Sequence, residues 1–173
     1  MSGPSCMKTA ITGTALIVSL LLTGCEKKAN PSSPTPSAAA PVAQPALVSW
    51  QQGDKPAAIN RFAEINWNAR PLFASDSPLS LSEAQFIALS EAERKAKSEE
   101  ILAQLDTLKK LAGAVAESGR AAAAKGDVAQ ARKYFSSLKG SGEALAGPDC
   151  MAVVQLVGKA LKKMADAELA KVP

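Results

Sequence analysis

The stretch GDVAQARKYF, Gly126–Phe135, carries the pattern that decides the fold. An earlier stretch, GDKPAAINRF at Gly53–Phe62, repeats it: both read glycine, aspartate, three residues, alanine, three residues, phenylalanine. Glycine ends a helix in a left-handed backbone conformation, and aspartate begins the next helix by accepting amide hydrogen bonds. Alanine lets two helices approach, and phenylalanine one turn later fills the space between them. Each stretch therefore predicts a turn between two packed helices.

Long helical patterns extend on both sides of the second turn. Ser90 and Glu93 have capping-box spacing, which predicts a helix that begins there and runs to Lys125. Small or apolar residues recur along it at helical spacing: Ile101, Leu105, Leu108, Ala112, Val115, Gly119 and Ala122. The same spacing continues after the turn, at Val128, Ala131, Phe135, Leu138, Gly142 and Leu145. Two such stripes joined by a short turn predict an antiparallel helical hairpin.

The segments around this hairpin complete the prediction of a small antiparallel all-α bundle. Ser82 opens a short helix that runs through Leu89. Before it lies an irregular stretch whose apolar residues are expected to pack onto the helices: Trp67, Leu72, Phe73 and Leu79. Gly140 and Gly142 indicate a bend or a close helix crossing. Because aromatic residues make up only 4% of the chain and β-branched runs are absent, no sheet is expected.

A last helix is predicted after Pro148-Asp149, where the proline should break the chain and the aspartate should cap the new helix. Its broad apolar face is expected to cover the hairpin. The residues of that face are Cys150, Val153, Val154, Leu156, Val157, Ala160, Leu161 and Met164.

The repeated turn resembles the helix-turn-helix unit of tetratricopeptide repeats. The residues of the second copy that match are Gly119, Gly126, Asp127, Ala131 and Phe135. The chain departs from the family at Val115 and Ala122, where aromatic residues often stand, and at Glu143, where a closing proline is usual. Three regular repeats are not present, so the resemblance implies repeat-like hairpins without the concave peptide groove of that family.

The N-terminal part has the organisation of a secretory signal. About fifteen mostly apolar residues come after Lys8, fewer than the roughly twenty that a membrane-spanning helix needs. The first six residues carry no charged side chain, which makes Met7, followed by Lys8, an alternative translation start.

The residues Leu22-Thr23-Gly24-Cys25 at the end of this run resemble the lipobox of bacterial lipoproteins. The resemblance implies that residues 1–24 are a cleaved signal peptide and that Cys25 carries a thioether-linked diacylglycerol. It also implies a lipid-anchored, non-cytoplasmic protein of the bacterial cell envelope. Glu26 stands where aspartate commonly signals inner-membrane retention, so the outer membrane facing the periplasm is favoured. An uncleaved signal anchor is the alternative.

After the lipidated Cys25, residues 25–46 read as a tether and residues 47–173 as the helical domain. Prolines among Ser and Ala remove amide donors and leave little apolar surface, which favours an extended linker. A proline-rich partner motif is the alternative interpretation.

Few residues have the pattern of a catalytic or metal site. The chain has no histidine, which excludes Ser-His-Asp and Cys-His catalysis, and its three cysteines lack metal-binding spacing. Adjacent Glu99 and Glu100 point in different directions on a helix, so neither they nor nearby Asp106 predict a catalytic carboxylate pair. Cys150 is either a reactive thiol or a core residue, and its apolar context favours packing. The candidate aromatic patch of Trp50, Trp67 and Phe73 is likewise weighed against hinge and core packing.

These observations predict a lipid-anchored helical interaction module or scaffold that holds another protein, and not an enzyme. The alternative is a periplasmic binding protein for a small apolar molecule or lipid, and a carboxylate-type enzyme ranks last. No cofactor or metal is expected, and the interspersed net charge of +4 does not favour nucleic acid. The expected partners are the membrane, through Cys25, and a protein.

Overall fold

The computed structural model describes residues 40–173, and this part of the chain is helical without a β-strand. The helices are α1 (Gln44–Gln51), α2 (Lys55–Glu64), α3 (Glu83–Ala88), α4 (Glu91–Ala124), α5 (Val128–Leu145) and α6 (Ala152–Leu169). The all-α prediction is confirmed. The predicted signal peptide, Cys25 and most of the tether lie outside the described residues. Helix α1 begins at Gln44, so the bundle starts slightly before the expected boundary at residue 47.

The two glycine-aspartate turns have the same geometry. Gly53 and Gly126 adopt positive φ angles of 85° and 77°, which side chains other than glycine rarely reach. In the second turn, Gly126 N–H donates to the carbonyl three residues earlier at 3.0 Å, and Asp127 N–H to the carbonyl five residues earlier at 2.9 Å. The first turn repeats both bonds at Gly53 and Asp54, at 3.1 and 3.0 Å. Both are Schellman motifs that end one helix.

Each aspartate then begins the following helix. Asp54 Oδ1 accepts the Ala57 amide at 3.1 Å, and Asp127 Oδ1 accepts the Gln130 amide at 3.0 Å. In each turn, the glycine-aspartate pair therefore supplies hydrogen bonds both to the last turn of one helix and to the first turn of the next. The repeated sequence pattern is confirmed as a repeated turn structure.

The predicted stripes of α4 and α5 form the core of the main hairpin. All of their members are buried except Ala122 and Val128, which are half-buried. Leu111 and Ala116 are also fully buried, although they lie off the predicted stripe. Helix α4 packs against α1 and α2 as well as against α5. Its buried face is therefore wider than packing against a single helix would need.

A close crossing joins α5 to α6, as Gly142 indicated. A Cβ atom on Gly142 would lie 2.5 Å from the Lys162 backbone nitrogen, and one on Gly158 would lie 2.5 Å from the Ala146 nitrogen. Only glycine fits at both places, because the facing groups are backbone atoms that cannot turn aside. The two backbones are therefore in direct contact.

The irregular segment between the hairpins packs inward, as predicted. Its buried residues are Trp67, Leu72, Phe73 and Leu79. Trp67 Nε1 donates to Ser137 Oγ at 3.0 Å, and Ser137 Oγ donates to the Phe62 carbonyl at 2.7 Å. The Trp67 and Phe62 rings lie 4.9 Å apart between centroids. This buried chain of contacts ties α2, the irregular segment and α5 together.

The predicted start of the last helix is wrong. Asp149 does not cap α6, which begins at Ala152 after Met151, and Met151 supplies no side-chain cap. Instead, Glu83 Oε2 accepts the Ala152 amide at 3.2 Å. The chain turns after Pro148 and passes Asp149 before α6 starts, so Asp149 is too early in the sequence to cap the helix. A carboxylate from α3 takes its place.

Candidate functional site: an apolar groove between α4 and α6

Helix α6 has more apolar surface than its neighbours cover. The buried stripe of α6 consists of Val154, Gly158, Leu161 and Ala165. Val153 is 36% exposed and Leu156 is 65% exposed. The prediction that the whole apolar face covers the hairpin is therefore wrong: α6 buries one stripe and leaves the adjacent one open.

The open stripe of α6 borders a groove whose other wall is α4. The groove has a volume of about 450 Å³, and Lys109 and Gly113 line its α4 side. Its α6 side consists of Val153, Leu156, Val157, Ala160, Leu161 and Met164. We call this surface the α4–α6 groove. From Val153 to Met164 it extends for roughly 16 Å, or three turns of helix.

A second apolar depression continues the groove toward α3. Its volume is about 360 Å³, and it shares Val153 with the first. Phe86 and Leu102 line it, and Leu102 is 59% exposed. Nearby Ile87 is 61% exposed at the end of α3. The apolar surface therefore runs from α3 along most of α6.

Polar contacts close both ends of the groove. At the α3 end, Glu83 holds the first amide of α6. At the far end, Arg120 Nη1 of α4 lies 3.0 Å from Glu168 Oε1 of α6, and Lys171 Nζ lies 3.2 Å from the other oxygen of Glu168. Burial opposes ionisation of Glu168, but the hydrogen bonds from Lys171 and Arg120 outweigh it and lower its pKa. These contacts define where the open apolar surface begins and ends.

Exposed lysines lie on both helices that form the groove. Lys109 lies on α4, and Lys159 and Lys163 come after Leu156 on the outer face of α6 at helical spacing. Within residues 40–173, none of the three has a carboxylate oxygen within 4.0 Å, whereas seven other cationic side chains do. Three exposed lysines without a carboxylate within this distance therefore lie on the two helices of the groove.

The acidic candidates of α4 are exposed, and two of them pair with lysines of the same helix. Glu100 pairs with Lys97 at 2.6 Å, and Asp106 pairs with Lys110 at 2.7 Å. The Lys110 hydrogen bond holds the pKa of Asp106 below its ordinary value. Glu99 is exposed. Among the residues described, no cluster of three or more His, Cys, Asp or Glu side chains is placed to hold a metal ion.

Cys150 packs against the core. It is half-buried, and its Sγ lies 3.9 Å from the Ala144 carbonyl oxygen. Burial raises the pKa of the thiol, and the lowering effect of Arg70 does not compensate for it. The thiol is therefore protonated at neutral pH, and Cys150 has the packing role that its sequence context favours.

The three aromatic candidates do not form an exposed patch. Trp67 and Phe73 are buried in the core. Trp50 is half-buried, and Lys55 Nζ lies 5.6 Å from the centre of its ring. Hinge and core packing is therefore the outcome for this group.

The exposed part of the α6 face is the functional candidate that sequence reasoning missed. The sequence does contain a signal for it. Val154 and Leu161 belong to one stripe of the helix and Leu156 and Val157 to the adjacent one, and together their apolar arc is wider than one packed neighbour covers.

The chain matches no protein-family model, no curated protein and no solved structure. Across residues 40–173, none of the helices has the length and hydropathy to cross a membrane.

Proposed function

We propose that the protein is a lipid-anchored interaction module of the bacterial envelope, and that its α4–α6 groove holds a helix of another protein. The observation that carries this proposal is the exposed apolar surface around Leu156, bounded by polar contacts at each end. Contiguous apolar surface of this kind on a folded domain marks interaction sites. Its length suits an amphipathic helix with apolar residues on successive turns, a common mode of peptide recognition.

The N-terminal sequence supports the envelope location. Leu22-Thr23-Gly24-Cys25 has the lipobox pattern, and the proline-rich residues after it would separate the bundle from the lipid head groups. Two or more acyl chains anchor a protein stably, whereas a single chain binds marginally. The outer membrane is favoured because Glu26, rather than aspartate, comes directly after the cysteine.

The small-molecule alternative has less support. Small ligands usually bind in concave sites that bury most of their surface. Helix α5 instead lies so close to its neighbours that backbone contacts fill the space at Gly142, and the Phe135 ring fills the space beside Gly119. The apolar surface that remains is an open groove, which suits an elongated partner better than a compact one.

Site-specific photo-cross-linking in intact cells tests the docking function. A photoreactive residue at Leu156 or Leu102 should give one dominant protein adduct. The same residue at Ala129 or Ser136, both exposed on α5, should give none. Equal adducts at all four positions, or no groove adduct, would contradict the proposal.

The anchor is tested separately with Cys25→Ser. Loss of the thiol should block lipidation and processing, which leaves a larger precursor without acyl mass. A mature-sized, membrane-bound product from this variant would rule out the lipobox assignment.

A further inference from the structure

We infer that the protein has a second binding site, for an uncharged sugar ring, on the side of α4 that faces away from the α4–α6 groove. The site is a cavity of about 160 Å³ where α1, α4 and the irregular segment meet. Gln104 of α4 lines it, and nine residues, or two and a half turns of helix, separate Gln104 from Gly113 of the groove. The two sites therefore lie on opposite flanks of one helix, and this one is independent of the docking function.

Hydrogen-bonding side chains make up most of the cavity lining. They come from α1, the irregular segment and α4, and they are Gln44, Gln51, Asp76, Ser77, Gln104 and Thr107. None of the described residues that line the cavity is aromatic or cationic. An apolar ligand would take these polar groups out of water without giving them partners, which costs free energy. The lining therefore favours a polar ligand.

Hydrogen bonds within the protein orient two of these groups. The Ser77 hydroxyl accepts the Leu79 amide at 3.3 Å and donates to Gln104 Oε1 at 2.8 Å, so Gln104 Nε2 is left to donate to a ligand. The Thr107 hydroxyl donates to the Ala103 carbonyl at 3.0 Å, so its oxygen is left to accept. Because Gln104 and Thr107 are one turn apart on α4, the cavity presents a donor beside an acceptor.

The charge of the cavity comes from Asp76. Within residues 40–173, no cationic side chain lies within 4.0 Å of its carboxylate. A carboxylate accepts hydrogen bonds and repels anions, so an anionic ligand is disfavoured. An ammonium group only donates, which would leave the amide donors of the three glutamines without an acceptor. Hydroxyl groups both donate and accept, so a neutral ligand with several hydroxyls matches the whole set.

The size and the apolar part of the cavity fit a single ring. Its volume is roughly five times the share of one liquid water molecule, about 30 Å³. Buried Leu47 and half-buried Ala74 complete the lining, and the C–H groups on the face of a sugar ring can pack against them. Because Gln51 and Asp76 are exposed, the cavity opens to solvent. The ring therefore belongs to a free sugar or to the end of a glycan chain.

Saturation-transfer NMR with the full chain in nanodiscs of zwitterionic lipid tests the inference, with empty nanodiscs as the blank. The probes are the methyl glycosides of glucose, galactose and mannose, each compared with its uronate and its amino-sugar counterpart. At least one neutral glycoside should bind with a millimolar Kd. Its uronate should bind about fivefold more weakly at low salt because of Asp76. Tighter binding of a trisaccharide of the same sugar would assign the end of a glycan chain, and equal binding would assign a free sugar.

Substitutions in the cavity make the test specific. Asp76→Ala should weaken binding of the neutral glycoside about tenfold or more and Gln104→Ala about fivefold, because hydrogen bonds to charged groups contribute more than neutral ones. Asp76→Asn should remove the discrimination against the uronate. Asp106→Asn and Gln52→Ala are matched changes at exposed positions outside the cavity, and both should keep wild-type binding. Circular dichroism checks that every variant keeps its helices.

Three results would overturn the inference. The first is that no neutral glycoside binds, and the second is that binding is unchanged by both Asp76→Ala and Gln104→Ala. The third is binding of the amino sugars alone, which would make this a site for ammonium groups. Leu156→Asp in the α4–α6 groove should leave sugar binding unchanged, so a failure of the docking function would not affect this site. Loss of sugar binding in a folded Leu156→Asp protein would place the sugar in the groove and also contradict the inference.

Discussion

The hairpin α1–α2 and the hairpin α4–α5 share a turn, yet they are stabilised in different ways. The helices of the first have 8 and 10 residues, whereas those of the second have 34 and 18. Isolated helices shorter than about 12–15 residues are marginal in water. The short hairpin therefore depends on contacts from outside, above all the bonds among Phe62, Trp67 and Ser137. A local motif specifies the connection between two helices, and their length decides how much support they need.

A second difference between the hairpins concerns the residue seven positions before each turn glycine. In the long hairpin, a Cβ atom on Gly119 would be 2.5 Å from Phe135 Cε1, so the ring presses against the α4 backbone. The residue of the short hairpin at the same distance before its turn is Ala46, which is also buried. The short hairpin therefore keeps a methyl group where the long one has none.

The largest test of the comparison is removal of each aromatic ring. Phe135→Ala and Phe62→Ala should each lower the free energy of unfolding by about 3–5 kcal/mol, because both rings are fully buried. Chemical denaturation followed by circular dichroism measures the effect. Exposed Ile87→Ala is the control and should change stability by less than about 0.5 kcal/mol. If Phe62→Ala leaves the main transition unchanged, the short hairpin unfolds on its own and the two are not one cooperative unit.

The next largest effect on stability is expected at the contact between Gly119 and the Phe135 ring. Gly119→Ala should cost about 1–3 kcal/mol, because the new methyl group forces the Phe135 ring or the helix to move. Ala46→Gly should cost only about 1 kcal/mol, the helical preference of alanine over glycine. Thermal denaturation of both variants compares them. A stabilised Gly119→Ala protein would show that the two hairpins pack alike.

The shared turn gives equal, smaller effects. Gly53→Ala and Gly126→Ala should each cost about 1–2 kcal/mol, because alanine is strained at positive φ, although no neighbour blocks its Cβ. Gly113→Ala, inside α4 with open space around it, is the matched control and should stabilise the protein by about 0.5–1 kcal/mol. Unequal costs at the two turns in chemical denaturation would contradict their common geometry.

The smallest effect concerns the ion pairs of two glutamates, Glu168 and Glu64. Glu168 is 12% exposed and held by two cations, whereas Glu64 is 67% exposed and lies 3.4 Å from Lys133. Glu168→Gln should cost up to about 1 kcal/mol at pH 7, and Glu64→Gln almost nothing. Because the pKa of Glu168 is lowered from 4.5, its contribution is present above that pH and is lost as pH falls through the lower folded value. Melting temperatures between pH 7 and 3 should therefore converge for wild type and Glu168→Gln. A pH-independent gap would contradict this assignment.

Features set by local chemistry were predictable from the sequence. The turns at Gly53 and Gly126, the capping box at Ser90 and the buried phenylalanines depend on neighbours a few residues away. Interactions with distant segments were not predictable. Glu83 caps α6 from far along the chain, so no residue near Asp149 indicates this contact.

The groove was only half predictable for the same reason. The apolar arc of α6 is visible in the sequence, but which stripe is buried depends on the crossing with α5. The sequence suggested a close crossing at Gly142 without naming its partner, Gly158. Because Gly158 lies against the α5 backbone, the stripe with Val154 is buried and Leu156 is exposed.

The backbone contact between Gly142 and Gly158 also limits what can move. With main-chain atoms against one another, α6 cannot slide or rotate on α5 without a clash, so one wall of the groove is fixed before any partner arrives. A preformed receptor avoids the entropy loss of ordering itself, which favours affinity. Free and occupied forms of this protein should then superimpose closely along α5 and α6, and differences in affinity among partners should arise from how slowly each one leaves.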